Sequence, residues 1–259
     1  QLVTTATPPL SIGLTGGVRA AMARGDLARP DIDKFFATIT RPTRTLQVLS
    51  GADEARLERR GGGYCAHAAL GVHSDRVGTM GSGGATMQVA APGDGTVASL
   101  STDLLGIEDR AAATGDETAL REWRDNIDGQ LASVDVRGFA GAEVVFGLAM
   151  HASAAALAGV DGRRVMRNVV RDALQTLVGA ASAPGPAWDA VGAPNPYHLD
   201  PELLRRATLF NAARTRAVVE TLPEGSSFYF ARQVGDVACD WSLGLFLEDA
   251  AAAAADRVS

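Results

Sequence analysis

A chain of 259 residues can bury a substantial core, as one large domain or as two smaller lobes. With 24 basic and 30 acidic residues its net charge is −6, which gives no electrostatic footprint for nucleic acid or an anionic membrane surface. Lys34 is the only lysine, which excludes a Gly-Lys-Ser/Thr phosphate loop, and no apolar run approaches the ~20 residues of a membrane span.

Pro9 to Leu14 reads as a short buried strand running into the turn Thr15-Gly-Gly17, and a helix follows through Arg19 and Met22. After a helix carrying Phe35 and Phe36, Thr45 to Leu49 is a second strand. Glu54 to Leu70 then has helical character, with the triplet Gly61-Gly-Gly63 expected to interrupt it. From Arg76 the period becomes strand-like. Arg76–Met80, Ala85–Ala90 and Thr96–Ser101 are separated by the turn signals Gly81-Ser-Gly-Gly84 and Pro92-Gly-Asp-Gly95, which predicts a β-meander.

Past Asp103 helices return. Leu120, Trp123, Ile127 and Leu131 share one helical face. Val165, Val169, Ala173 and Leu177 are expected to form another, capped by Asp161 and ended by Gly179. Ala180–Asn195 reads as a loop. Asp200-Pro201-Glu202 supplies an N-cap acid and a proline at the first helical position for a helix that ends before Pro223. Phe228–Phe230 is a strand, and a closing helix begins at Trp241. Strands alternating with helices around a meander indicate the α/β class.

Cys65 and Cys239 lie far apart with no metal-like spacing, and two buried thiols are favoured over a single long-range disulfide. The four histidines show no metal-ligand spacing, and Trp188 is a weak candidate for stacking a nucleobase. The chain begins at Gln1 rather than methionine, so an upstream segment, and any address it carries, is expected to have been removed.

Three segments carry chemistry. Leu14-Thr-Gly-Gly-Val-Arg19 lies at a strand-to-helix turn, where small residues let backbone amides approach an anion; a tight turn is the plain alternative. Leu49-Ser-Gly-Ala-Asp-Glu-Ala-Arg-Leu57 places Asp53 and Glu54 where a strand enters a helix. A carboxylate there can deprotonate a water, although acids also suit a first helical turn through the dipole alone. In Gly78 to Gln88 a glycine-rich hairpin turn exposes amides that can cradle phosphate, with Thr86 and Gln88 adding side-chain hydrogen bonds.

In order and spacing these segments resemble the apyrase (nucleoside triphosphate diphosphohydrolase) family and, more distantly, the exopolyphosphatases, both of the actin-like fold. Leu14–Arg19 is similar to the family's Ala-Thr-Ala-Gly-Met-Arg, Gly51–Ala55 to its Gly-x-Glu-Glu-Gly, and Gly81–Gln88 to its Asp-Leu-Gly-Gly-Ala-Ser-Thr-Gln. Leu209-Phe-Asn-Ala212 and Asp240-Trp-Ser-Leu-Gly244 resemble two later apyrase segments, whereas Glu54-Ala-Arg-Leu57 is closer to the exopolyphosphatases.

The resemblance implies an actin-like (ribonuclease H-like) α/β fold of two lobes, with residues 1–75 forming a first lobe that lacks its opening strands and residues 76–259 the second. It implies Glu54 as catalytic base, and phosphate binding by Thr15, Arg19, Ser82, Gly83, Gly84, Ala85, Thr86 and Gln88. The implied substrate is a nucleoside di- or triphosphate and the implied cofactor Mg²⁺ or Ca²⁺. The family's first phosphate loop has no counterpart here, and the acid that opens its second loop is Gly81. A catalytically inactive interaction or assembly subunit is therefore the alternative reading, and polyphosphate or alarmone hydrolysis the third. An incomplete first-lobe sheet would expose an open edge, so another polypeptide is expected to cover it.

Overall fold

The computed structural model describes residues 10–39, 43–93, 95–102, 110–111, 113–195 and 198–255. Pro9, Asp94 and Asp103, named above at element ends and turns, lie outside them, as does Gln1.

Strand β1 (Leu10–Leu14) enters α1 (Gly16–Arg24), and α2 (Arg29–Ala37) leads to β2 (Thr43–Val48), which pairs in parallel with β1. The helix α3 (Gly51–Leu70) follows. Its N-cap is Ser50, whose hydroxyl accepts from the Asp53 amide at 3.1 Å, and Gly71 ends it in the left-handed conformation.

The expected meander is present as β3 (Val77–Ser82), β4 (Thr86–Ala90) and β5 (Val97–Ser101). It is half of a six-stranded mixed sheet. After α4 (Asp116–Leu131), β6 (Val144–Gly147) joins β3 in parallel and enters α5 (Ala149–Leu157). A short edge strand β7 (Arg164–Met166) leads into α6 (Arg167–Ala181) and the single turn α7 (Pro186–Asp189). The long helix α8 (Pro201–Thr221) then leads to β8 (Ser227–Phe230), giving the order β5-β4-β3-β6-β8-β7. A small hairpin, β9 (Gln233–Val234) and β10 (Val237–Ala238), precedes the closing helix α9 (Trp241–Ala255).

Side-chain alternation divides the sheet's faces. Val144, Phe146 and Tyr229 pack with Cys65 and Ala66 of α3. Val145, Phe228 and Phe230 face a larger core shared with α4, α5, α6 and α8, where the Trp123 and Phe210 rings meet edge to face. α3 thus covers one face and a helical layer the other. No helix among the described residues is long and apolar enough to cross a membrane.

Several expectations are corrected. The glycine triplet does not interrupt α3 but lets it approach its neighbours: a Cβ on Gly62 would stand 2.7 Å from Thr79 Cγ2, and one on Gly61 2.5 Å from the Asp240 carbonyl. Residues Val144–Gly147 form a central strand that the sequence reading passed over. Val165 belongs to β7 and Val169 is exposed, so the buried face of α6 is Val170, Leu174, Leu177 and Ala181; Met166, not Asp161, holds its N-cap, and Gly179 lies inside it. The segment read as the loop Ala180–Asn195 contains the end of α6 and all of α7.

Cys65 and Cys239 are joined in a disulfide rather than free as thiols. A separation of 174 positions hides the proximity in sequence, but the fold brings the start of α9 onto α3, with the two Cα atoms 6.2 Å apart. The first sheet is also less bare than expected. α9 packs along α3 and reaches β1, where the Ser11 hydroxyl donates to Asp249 and Gly13 lies against Trp241.

The α3–α9 crossing is built on backbone contact, since a Cβ on Gly244 would lie 2.0 Å from the Leu57 carbonyl oxygen. Gly244→Ala is expected to lower the melting temperature despite alanine's better helix propensity. The clash is with backbone that cannot rotate away, and overpacking of this kind costs about 1–3 kcal/mol or more. An unchanged or raised melting temperature would count against this crossing.

Candidate functional site

Glu54 sits in the first turns of α3 and faces inward, whereas the adjacent Asp53 turns outward to Ser50 and Arg56. Position alone left these two acids equivalent and the resemblance chose Glu54; the N-cap geometry separates them. Arg19, from α1, donates from Nη2 to Glu54 Oε2 at 2.9 Å and from Nη1 to the Leu49 carbonyl at 2.6 Å. Gln88, on β4, donates from Nε2 to the same Glu54 oxygen at 3.2 Å and to Thr86 Oγ1 at 2.9 Å. Both contacts fall on Oε2, so Glu54 Oε1 has no hydrogen-bond partner among the described residues.

Glu54 lines a cavity of about 230 Å³ together with Thr15, Gly16, Gly17, Ala20, Arg24 and the loop Gly83–Thr86. The N-terminus of α1 opens onto this space and favours negative charge there. Gly16 allows the approach of the two walls, because a Cβ at that position would lie 2.3 Å from Thr86 Oγ1. Of the nine residues singled out from sequence, Thr15, Glu54, Gly83, Gly84, Ala85 and Thr86 line the cavity, and Arg19 and Gln88 fix Glu54 from behind. Ser82 is buried in β3 with no partner for its hydroxyl. Trp188 is not among the residues that line this cavity.

A larger open groove of about 670 Å³ lies along another face of α3, between Arg59, Tyr64, His67 and His73. Two of its arginines, Arg56 and Arg60, are already engaged by Glu248, and no glycine-rich loop enters it.

Sequence reasoning missed Glu58. One turn beyond Glu54 on α3, its carboxyl fills the space that a side chain at position 81 would occupy: a Cβ on Gly81 would lie 2.0 Å from Glu58 Oε2. That oxygen is buried without a hydrogen-bond partner among the described residues, and desolvation, followed by the charges of Glu54 and Asp240, holds the Glu58 carboxyl well above the usual carboxylate range. Only the pairing of α3 with β3 reveals this, so no local sequence signal could have found it.

A carboxyl whose pKa is raised on folding binds more protons in the native state, so stability falls as pH rises from the unfolded value near 4.3 toward the folded one. Glu58→Gln is therefore expected to melt progressively higher than the wild type as pH is raised from about 5 to 8, with the smallest difference at the acid end. Parallel melting curves against pH for the two proteins would refute a buried protonated carboxyl.

Solved structures share this architecture. A crystal structure of an exopolyphosphatase-like protein superposes with a TM-score of 0.58 at 17% identity, over 92% of this chain and 76% of that one. A Ppx/GppA family member from Aquifex aeolicus gives 0.56 at 12% identity, over 93% and 73%. An exopolyphosphatase from Cytophaga hutchinsonii gives 0.53 at 11%, over 92% and 73%. The fold is the actin-like α/β fold of the Ppx/GppA proteins. No protein-family model matches the sequence, and no curated protein matches it. These structures are exopolyphosphatase-like and Ppx/GppA proteins, and they do not show the apyrase branch that the downstream motifs resemble.

Proposed function

We propose that the chain is a phosphohydrolase acting on the end of a phosphate chain, either polyphosphate or the phosphate tail of a nucleotide. The observation that carries this reading is Glu54, buttressed through one oxygen and open to the cavity, facing a glycine-rich loop and a helix N-terminus. In this reading Glu54 Oε1 accepts a proton from the attacking water, while Arg19 and Gln88 keep the carboxylate oriented. The Gly84 and Ala85 amides of the loop and those of the α1 N-terminus hold the terminal phosphate oxygens, with Thr15 and Thr86 beside them.

The cavity favours the third of the readings drawn from sequence. Its volume of about 230 Å³ suits a phosphate group or two, and among the described residues no aromatic ring lines it to stack a base. The names of the similar structures, exopolyphosphatases among them, support the same substrate class.

A resident Mg²⁺ or Ca²⁺ ion does not fit these residues. The described residues hold no cluster of three or more His, Cys, Asp or Glu side chains, Gly81 offers no side-chain oxygen, and Arg19 already compensates Glu54. A divalent ion would have to arrive with the phosphates, whose oxygens are its customary ligands.

The test is phosphate release from polyphosphate, pyrophosphate, ADP, ATP and guanosine tetraphosphate, with Mg²⁺ or Ca²⁺ present. Turnover that depends on chain length and is indifferent to the base is expected. Binding without any turnover would instead favour the inactive interaction subunit, and neither binding nor turnover would remove the phosphate reading altogether.

A further inference from the structure

Arg214, in the middle of α8, is wholly buried. Its Nη1 donates to the Gly83 carbonyl at 2.8 Å and to Thr102 Oγ1 at 3.1 Å; its Nη2 donates to Asn211 Oδ1 at 2.8 Å and lies 3.6 Å from Met150 Sδ. Nε is buried without a partner among the described residues. Every acceptor is neutral, and among the described residues no carboxylate meets this guanidinium. Arg205, on the same helix and nearly as buried, is clasped by Asp116 and Glu202.

Among the described residues this buried charge is met by neutral dipoles alone, which return only part of its lost hydration. Burial lowers the Arg214 pKa to about 9, which still leaves it charged at neutral pH. The nearby His151, on α5, adds no competing charge: burial, and next the Arg214 charge, keep its imidazole well below the usual range, with Nδ1 bonded to Thr215 Oγ1.

The loop above Arg214 has one polarity. The Gly83 carbonyl accepts from Arg214, that of Gly84 from Thr102 Oγ1, that of Ala85 from the Thr102 amide, and that of Thr86 from the Gly83 amide. Four successive carbonyls are thereby tied to protein donors, and the Gly84 and Ala85 amides have no acceptor among the described residues. Gly83 through Thr86 also line the cavity.

We infer that Arg214 is the fixed positive charge of the phosphate site, acting as a positioning residue from beneath the glycine-rich loop, and that a bound phosphate chain serves as its counter-ion. The inference rests on the cavity being a phosphate site. In the low-dielectric interior the charge reaches across the loop, and its pull grows with the charge of the ligand.

Calorimetric titration of orthophosphate, pyrophosphate and tripolyphosphate into the wild type, Arg214→Met and Arg214→Lys tests it. The Met variant should lose about tenfold or more in tripolyphosphate affinity and distinctly less for orthophosphate, while the Lys variant stays within about threefold of wild type. Unchanged affinities in the Met variant, or an equal loss for all three ligands, would overturn the proposal, because a merely loosened loop weakens every ligand alike. If the Met variant does not fold, the Lys variant decides: charge-graded, near-wild-type binding supports the inference and a uniform loss overturns it. Failure of the wild type to bind any of the three would sink the phosphate reading itself, a separate outcome.

Discussion

Glu54→Gln is expected to cut phosphate release by about a hundredfold or more, the lower end of what a positioned general base contributes. The amide keeps the shape of the carboxylate but cannot take a proton. Affinity for the phosphate chain should hold or improve, because the change removes a negative charge from the cavity wall and releases Arg19. The signature is thus a fall in kcat with KM steady or lower, read from steady-state phosphate release. A variant as active as wild type would place the base elsewhere.

Gly81→Asp, the substitution that would recreate the acid expected from the resemblance, should damage the fold rather than restore chemistry. Its Cβ would press onto Glu58 Oε2, and its carboxyl would add a second buried acid beside one whose Oε2 has no hydrogen-bond partner among the described residues. Overpacking together with an unpaired buried charge puts the cost at about 3–5 kcal/mol, enough to unfold many domains. Introducing Glu58→Ala into the same chain should recover most of that loss, since it clears the space. Thermal melts of the two single variants and the double variant give the coupling energy directly. Additive effects would show that the two positions do not share one space.

Much of this was legible in the sequence where a local chemical rule decides the outcome. Asp200-Pro201 marked the start of α8, glycine turns marked the meander, and the strand-to-helix turns carrying Thr15 and Glu54 were placed correctly. What escaped depends on contacts between distant segments. Val144-Val-Phe-Gly147 is too short to show a period, and only its burial between two parallel neighbours makes it a strand. The insertion of β7 shifted the apparent phase of α6 by a residue. Glu58 and Arg214 look like ordinary polar positions on helices until the sheet is assembled against them. Gly61-Gly-Gly63 satisfied the rule for a loosened helix, but close packing against Thr79 and Asp240 outweighed it.

The Cys65–Cys239 bond divides the chain topologically. It closes a covalent ring that holds the glycine-rich loop, Arg214 and the whole six-stranded sheet, while Arg19 and Glu54 stand outside it. For a ring of 174 residues the chain-entropy account gives ~5 kcal/mol taken from the unfolded ensemble, comparable to the entire stability of many domains. The chain thus has two stabilities, one for each thiol–disulfide state of its surroundings. On the proposed reading, the glycine-rich loop and the charge beneath it are the part of the site whose folding the cross-link favours.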